Sequence, residues 1–213
     1  TPVELALKAM LGHELGRLDP LVHLRPALLG PGARQKRSAA KPSQQYQMWL
    51  DRYNKELSFS REDFVKHHRR KYGGQLPIWA AVEVMGWGSL AYLYRLSPIA
   101  VCDVIATRMK LTAAQLGSRI RALNIVRNYS AHHARMFNRV YTLKPRLPKV
   151  ETHPELVAAR KALNRCFGQL TLIQYLLTVL GIGDRTLLPR ILSTYPDILA
   201  LPISHMGTPK DWQ

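Results

Sequence analysis

Arg127, Asn128 and His132 are the residues of this chain whose types and spacing best support chemistry. They open the string "RNYSAHHARMFNR" at residues 127–139, with His133, Arg135, Asn138 and Arg139 close behind. Histidine exchanges a proton near neutral pH. Arginine grips a phosphate through two parallel hydrogen bonds and neutralises charge developing on it. Asparagine can orient either group by hydrogen bonding. RNA carries its own nucleophile, the 2′-hydroxyl. Cleavage of an RNA phosphodiester therefore needs proton transfer and charge neutralisation, and these three residue types supply both without a metal.

On a helix turning ~100° per residue, Asn128, His132, Arg135 and Arg139 form one polar stripe. Val126, Tyr129, His133, Phe137 and Val140 form a second, mostly core-like stripe, and Arg127 lies at the edge of the first. The plainer reading is a solvated basic face. That accounts for the arginines, but less well for Asn128 and His132, which are not favoured fillers of a helix surface. A metal centre fits poorly. His132 and His133 are adjacent and point ~100° apart, whereas helical ligand pairs are spaced i, i+3 or i, i+4. No Asp or Glu lies between residues 126 and 150 to complete a shell, and the arginines would repel a cation.

The whole chain shares this basic character. It has 31 Lys and Arg against 14 Asp and Glu, a net charge of +17. Such a balance predicts a polyanionic partner, with nucleic acid ahead of an acidic membrane surface. A length of 213 residues and 46% apolar content suit a single domain with a packed core. No stretch reaches the ~18 uninterrupted apolar residues of a membrane span. The strongest apolar run, "LTLIQYLLTVLGIG" at 170–183, is shorter, contains Gln174 and reads as a buried helix. The opening residues lack the basic-then-apolar layout of a secretory leader. Cys102 and Cys166 lack metal-like spacing and fit a reducing cytoplasm.

The elements that must position the motif read as helices throughout, so the fold class is all-α. Residues 3–18 form a first helix, broken by Pro20, Pro26 and Pro31. The segment 30–45, "GPGARQKRSAAKPSQQ", reads as a flexible basic loop. An amphipathic helix follows at 47–56, and Ser60 with Asp63 begins another that stops at Gly73-Gly74. Residues 77–97 form an apolar helical stretch that bends or restarts at Gly86–Gly88. Ser97-Pro98 and Thr112 start two more helices, the second carrying the motif. His153-Pro154-Glu155 opens a long helix to about Leu180, and Asp184 caps a last one over 185–200. No alternating run bounded by hairpin turns marks a strand.

"RNYSAH" resembles the R-N-x-x-x-H signature of HEPN ribonucleases. The longer string 127–139 resembles a block of the Abi-like family, which includes the AbiD and AbiF abortive-infection proteins of bacteria. "PIWAAVEVMGWGSLAYLYRLS" at 77–97, "HMGTPKDW" at 205–212 and "VELALKAMLGHELG" at 3–16 resemble further segments of that family. The resemblance implies an all-α HEPN-like helical bundle over 1–213, with a front section of the family domain missing before Thr1. It implies a homodimer, because HEPN nucleases bring two motifs to one cleft. Carried over residue by residue, Arg127 would bind the scissile phosphate, His132 would act as acid or base, and Asn128 would hold the pair. Arg135, Arg139, Asn138 and His133 would be the RNA-binding positions, His133 with the more structural share. The expected activity is a metal-independent, cofactor-free endoribonuclease leaving a 2′,3′-cyclic phosphate and a 5′-hydroxyl. Its setting would be phage defence or toxin-like growth arrest in the cytoplasm, with a small regulatory non-coding RNA or an antitoxin as partner and no membrane.

Other features read more plainly. The run His67–Lys71 is first a solvated basic helix end, favourably placed against the helix dipole, with RNA-backbone contact as its functional version. Trp79, Trp87, Tyr92 and Tyr94 read as core rather than base-stacking platforms. Glu83, in an apolar helix, is expected to pair with an arginine inside the bundle. A rival reading takes residues 104–124 as a helix-turn-helix of a DNA-binding regulator. Another keeps the fold but makes it a non-catalytic RNA-binding module.

Overall fold

The computed structural model describes residues 2–35 and 38–210, and for 38–40 the backbone alone. Positions 36–37 of the basic segment and Trp212 of the closing motif lie outside the described residues. The chain forms two compact units, Val3–Ile105 and Ala106–Gln213, and the division falls inside a helix.

The first unit begins with α1 (Pro2–Gly16), followed by three single-turn 3₁₀ segments where Pro26 and Pro31 interrupt the chain. Residues 30–45, expected as a flexible basic loop, instead carry a short antiparallel ribbon, β1 (Arg34–Gln35) with β2 (Ser38–Pro42). The ribbon feeds α2 (Gln44–Phe59), which starts at Ser43 because the Ser43 hydroxyl accepts the Tyr46 N–H at 3.1 Å. Then come α3 (Asp63–Lys71), α4 (Ile78–Val84) and α5 (Trp87–Leu96). The break between α4 and α5 falls where the Gly-Trp-Gly step predicts it. The two glycines of α1 let α4 approach closely: a Cβ on Gly12 would stand 3.1 Å from the Trp79 Cα. Helix α5 packs on α2, and the Trp49 indole N–H donates to the Ser89 carbonyl at 3.0 Å.

Trp87 and Tyr94 are core residues as expected, whereas Trp79 is half-exposed. Glu83 is exposed, not inside the bundle, and its side chain makes no ion pair among the described residues. Its place at the C-terminal end of α4 carries it past the apolar face, and its backbone carbonyl accepts the Lys8 ammonium at 2.9 Å.

Helix α6 (Ile99–Arg108) follows Pro98 and leads into the second unit. There α7 (Ala113–Ala131) begins in a full capping box: Thr112 Oγ1 accepts the Gln115 N–H, and the Gln115 side chain accepts the Thr112 N–H. Leu116, Ile120, Leu123 and Val126 form its buried face. Opposite it lies α9 (Cys166–Val179), flanked by α8 (Val157–Arg160) and α10 (Leu187–Ser193). The long helix expected from His153 to Leu180 is thus two pieces. The chain crosses the first turn of α9 so closely that a Cβ on Gly168 would sit 2.2 Å from the Ala162 carbonyl oxygen, and Gln169 donates to the Leu163 carbonyl. The last helix is also shorter than expected: Asp184 caps the Thr186 N–H and hydroxyl rather than a helix over 185–200.

Candidate nucleic-acid interface

Everything in the motif depends on where α7 stops. It stops at Ala131, not beyond Arg139. The His133 N–H bonds to the Ser130 carbonyl at 3.2 Å, and the Ala134 N–H reaches back to the Tyr129 carbonyl at 2.8 Å. These are the two bonds of a Schellman ending, with His133 in its left-handed position at φ 51°. Glycine usually fills that place. Histidine is one of the few side chains enriched at positive φ, so the ending is present without its usual sequence mark.

The polar stripe predicted for one helix is therefore only half helical. Arg127 and Asn128 lie in the last turns of α7, and His132 is the residue that closes it, its N–H donating to the Asn128 carbonyl at 3.0 Å. Arg127 is half-buried, while Asn128 and His132 are exposed. None of the three side chains makes a hydrogen bond or ion pair among the described residues. The second stripe ends as well: Val126 is buried, but His133 and Val140 are exposed.

Beyond the turn the chain doubles back against α7. Met136 packs on the cluster of Val126, Tyr141 and Cys166. Arg139 lies over the Tyr129 ring, 4.0 Å from its centroid, and its Nε donates to the Arg135 carbonyl at 2.7 Å. Tyr141 stands 6.0 Å from the Tyr129 ring and donates its N–H to the Asn164 carbonyl. Burial pushes its phenol up to about 12. Asn138 takes positive φ and accepts a hydrogen bond from Arg165, and Phe137 stacks on Tyr195 with 5.9 Å between centroids.

The expected RNA-binding residues thus separate. Arg135 is exposed and its side chain has no partner among the described residues. Arg139 and Asn138 are engaged in holding the return segment, and His133 in ending the helix. The electrostatics are uniform: from Asp103 to Glu151 the intervening chain holds ten Lys and Arg and no carboxylate side chain. Among the described residues, no three His, Cys, Asp or Glu come together to hold a metal ion. Among the described residues, no single helix is long and apolar enough to cross a membrane.

One residue that the sequence pattern does not single out lies lower on α7. Arg119 is fully buried, and all three of its nitrogens lack a hydrogen-bond partner among the described residues. Its guanidinium sits 4.7 Å from the Tyr175 ring centroid, and burial lowers its pKa to about 10. It occupies an apolar position of the helix, which is the only signal the sequence offers. Its burial, with that of Leu116, Ser118, Ile120, Ala122 and Leu123, also removes most of the side chains that a DNA-recognition helix would need.

The profile of the family described as Abi-like protein matches residues 1–138, well over half of the chain and including the whole of 127–138. No curated protein and no solved structure matches it.

Proposed function

Because the chain belongs to the Abi-like family, we propose that it is a metal-independent endoribonuclease of the HEPN type, acting in abortive infection against phage. The observation that carries this reading is the end of α7. A half-buried arginine, an exposed asparagine and an exposed histidine stand there, their side chains without partners among the described residues, in a stretch free of carboxylates. Such groups are available to a phosphate and a ribose.

The chemistry follows from the residue types. An imidazole takes the proton of the ribose 2′-hydroxyl as that oxygen attacks the neighbouring phosphorus. The P–O5′ bond breaks in line with the attack, and the departing oxygen takes up a proton. The products are a 2′,3′-cyclic phosphate and a 5′-hydroxyl. Arg127 would neutralise the extra charge on the non-bridging oxygens, and Asn128 would hold the phosphate or the imidazole in register. One imidazole cannot give and take a proton in the same instant. A second copy of the chain, presenting its own His132, would supply the other, and a homodimer is therefore part of the proposal. RNA is the substrate, and a regulatory RNA or antitoxin is the partner that would restrain it.

The test is incubation of a mixed RNA pool with the protein in EDTA, alongside Arg127→Ala and His132→Ala. Cleavage by the unaltered protein alone, with cyclic-phosphate ends, is the expected result. A general acid or base contributes about 10²–10⁴-fold, so His132→Ala should lose at least that range. Equal cleavage by the unaltered protein and His132→Ala would sink the reading.

A further inference from the structure

Helix α3 ends in a basic and aromatic cluster of which the packing of its own unit uses only part. After Asp63, which pairs with Lys66 at 2.9 Å, the helix has no acidic residue, and its last five positions are His67, His68, Arg69, Arg70 and Lys71. Only Val65 of α3 is buried. A helix C-terminus carries about half a negative charge, which one cation offsets. Arg69 already serves a neighbouring helix end: its guanidinium donates to the Leu57 carbonyl at 2.6 Å, near the end of α2. Arg70 and Lys71 are surplus to that need, exposed, and without an acidic partner among the described residues.

The aromatic part is equally open. Tyr72 is 53% exposed, a large ring left in water at the helix end. His67 and His68 stand 5.7 and 5.3 Å from its ring centroid, and the Lys71 ammonium lies 5.7 Å from the same centroid. The His68 ring is fixed by donating Nδ1–H to the Phe64 carbonyl at 2.8 Å. Gly73 and Gly74 then turn the chain away with φ of 64° and 83°. The cluster is thus an exposed tyrosine ring braced by two imidazoles set at 65° and 49° to it, with the Arg70 and Lys71 cations beside it and Arg69 anchored to α2. Surplus cations beside an exposed aromatic ring are the pair of features that hold a single-stranded polynucleotide, cations on the phosphates and the ring against a base. An anionic lipid surface would use the cations but not the base-stacking ring.

We infer that the end of α3 is a binding site for single-stranded RNA, in which Arg70 and Lys71 contact the backbone and Tyr72, steadied by His67 and His68, stacks a base. The choice of RNA rests on the nuclease reading; the site itself rests on α3.

The test is fluorescence anisotropy of the full chain with labelled single-stranded oligouridine, measured over a range of salt with His132→Ala as background to prevent cleavage. Arg70→Gln with Lys71→Gln should raise Kd at least tenfold and flatten the slope of log K against log salt by about 1.4, at about 0.7 for each phosphate that is no longer neutralised. Tyr72→Leu should raise Kd about fivefold to tenfold with the slope unchanged. All these side chains are exposed, and matched thermal melts would show that the variants fold. Unchanged affinity and slope would overturn the proposal. So would failure of the double variant to bind phosphatidylserine vesicles while its RNA affinity stays intact. Cleavage that needs His132, together with unaltered affinity in the α3 variants, removes this site and keeps the nuclease. Weakened affinity in the α3 variants of a protein that never cleaves RNA does the reverse.

Discussion

The guanidinium of Arg139 lies 4.0 Å over the ring of Tyr129, across the turn at which α7 ends. This contact, with the Arg139 Nε bonded to the Arg135 carbonyl at 2.7 Å, closes the return segment onto the helix that carries Arg127, Asn128 and His132. A cation on a partly shielded aromatic face contributes on the order of 1 kcal/mol. Arg139 is therefore a positioning residue, while the Arg135 side chain on the same segment has no partner among the described residues.

The two arginines should separate experimentally. Arg139→Gln is expected to speed amide exchange over residues 132–141 and leave the salt dependence of RNA binding unchanged. Arg135→Gln is expected to keep exchange protection and flatten the salt slope by about 0.7. Hydrogen-exchange mass spectrometry and anisotropy on the same two proteins make the check. An Arg139→Gln protein that flattens the slope and protects the segment would reverse the assignment.

His133 should tolerate glycine and reject a β-branched residue. At φ 51° it occupies the left-handed place of the Schellman ending, which costs a β-branched side chain on the order of 1–3 kcal/mol. His133→Gly should keep or raise the melting temperature and retain RNA cleavage. His133→Val should lower the melting temperature and loosen the His132 position with it. A His133→Gly protein that melts normally but no longer cleaves would give the imidazole a chemical role instead.

What could be read from the sequence was what is local. Thr112 and Pro98 mark helix starts because such signals act on their own first turn, and the Gly86–Gly88 step marks a break for the same reason. The end of α7 was not legible, because a histidine takes the position that glycine normally announces. The interruption before Cys166 was hidden too. The helical pattern runs on through it, and only the passage of Ala162 against Gly168 requires the break. Trp79 and Trp87 look alike in sequence, but one is half-exposed and the other buried, a distinction set by tertiary packing. The motif residues themselves were visible. Their division into chemically free groups and groups that hold the turn was not, since it follows from where the helix stops.

Arg119 should be replaceable by methionine with a gain in stability. It is a buried guanidinium without hydrogen-bond partners among the described residues, and the fall in its pKa from 12.5 to about 10 corresponds to a burial cost of about 3 kcal/mol at neutral pH. That fall already includes the opposing pull of Tyr175 and Glu155. Arg119→Met keeps much of the volume and should raise the melting temperature. Arg119→Ala opens a cavity and should lower it. Differential scanning calorimetry of both variants decides the matter, and a lower melting temperature for Arg119→Met would mean that the cation is paired with an anion or water in solution.

His23 should make the first unit acid-sensitive. Its ring is fully buried, edge-on to Tyr53 at 5.4 Å and Trp49 at 6.4 Å, with neither nitrogen bonded among the described residues. Burial lowers its pKa from 6.5 to about 4, against a smaller opposing pull from Asp19. The folded chain therefore keeps this imidazole neutral where the unfolded chain takes up a proton. Its share of stability is complete above pH 6.5, declines as pH falls, and is lost by about pH 4, a change of about 3 kcal/mol. Urea unfolding at several pH values should show that slope, and His23→Phe, which keeps a ring against Trp49 and Tyr53, should flatten it between pH 6.5 and 4. The comparison is of slopes, so it holds even if phenylalanine alters the stability at neutral pH. An undiminished slope in His23→Phe would assign the acid sensitivity to other groups.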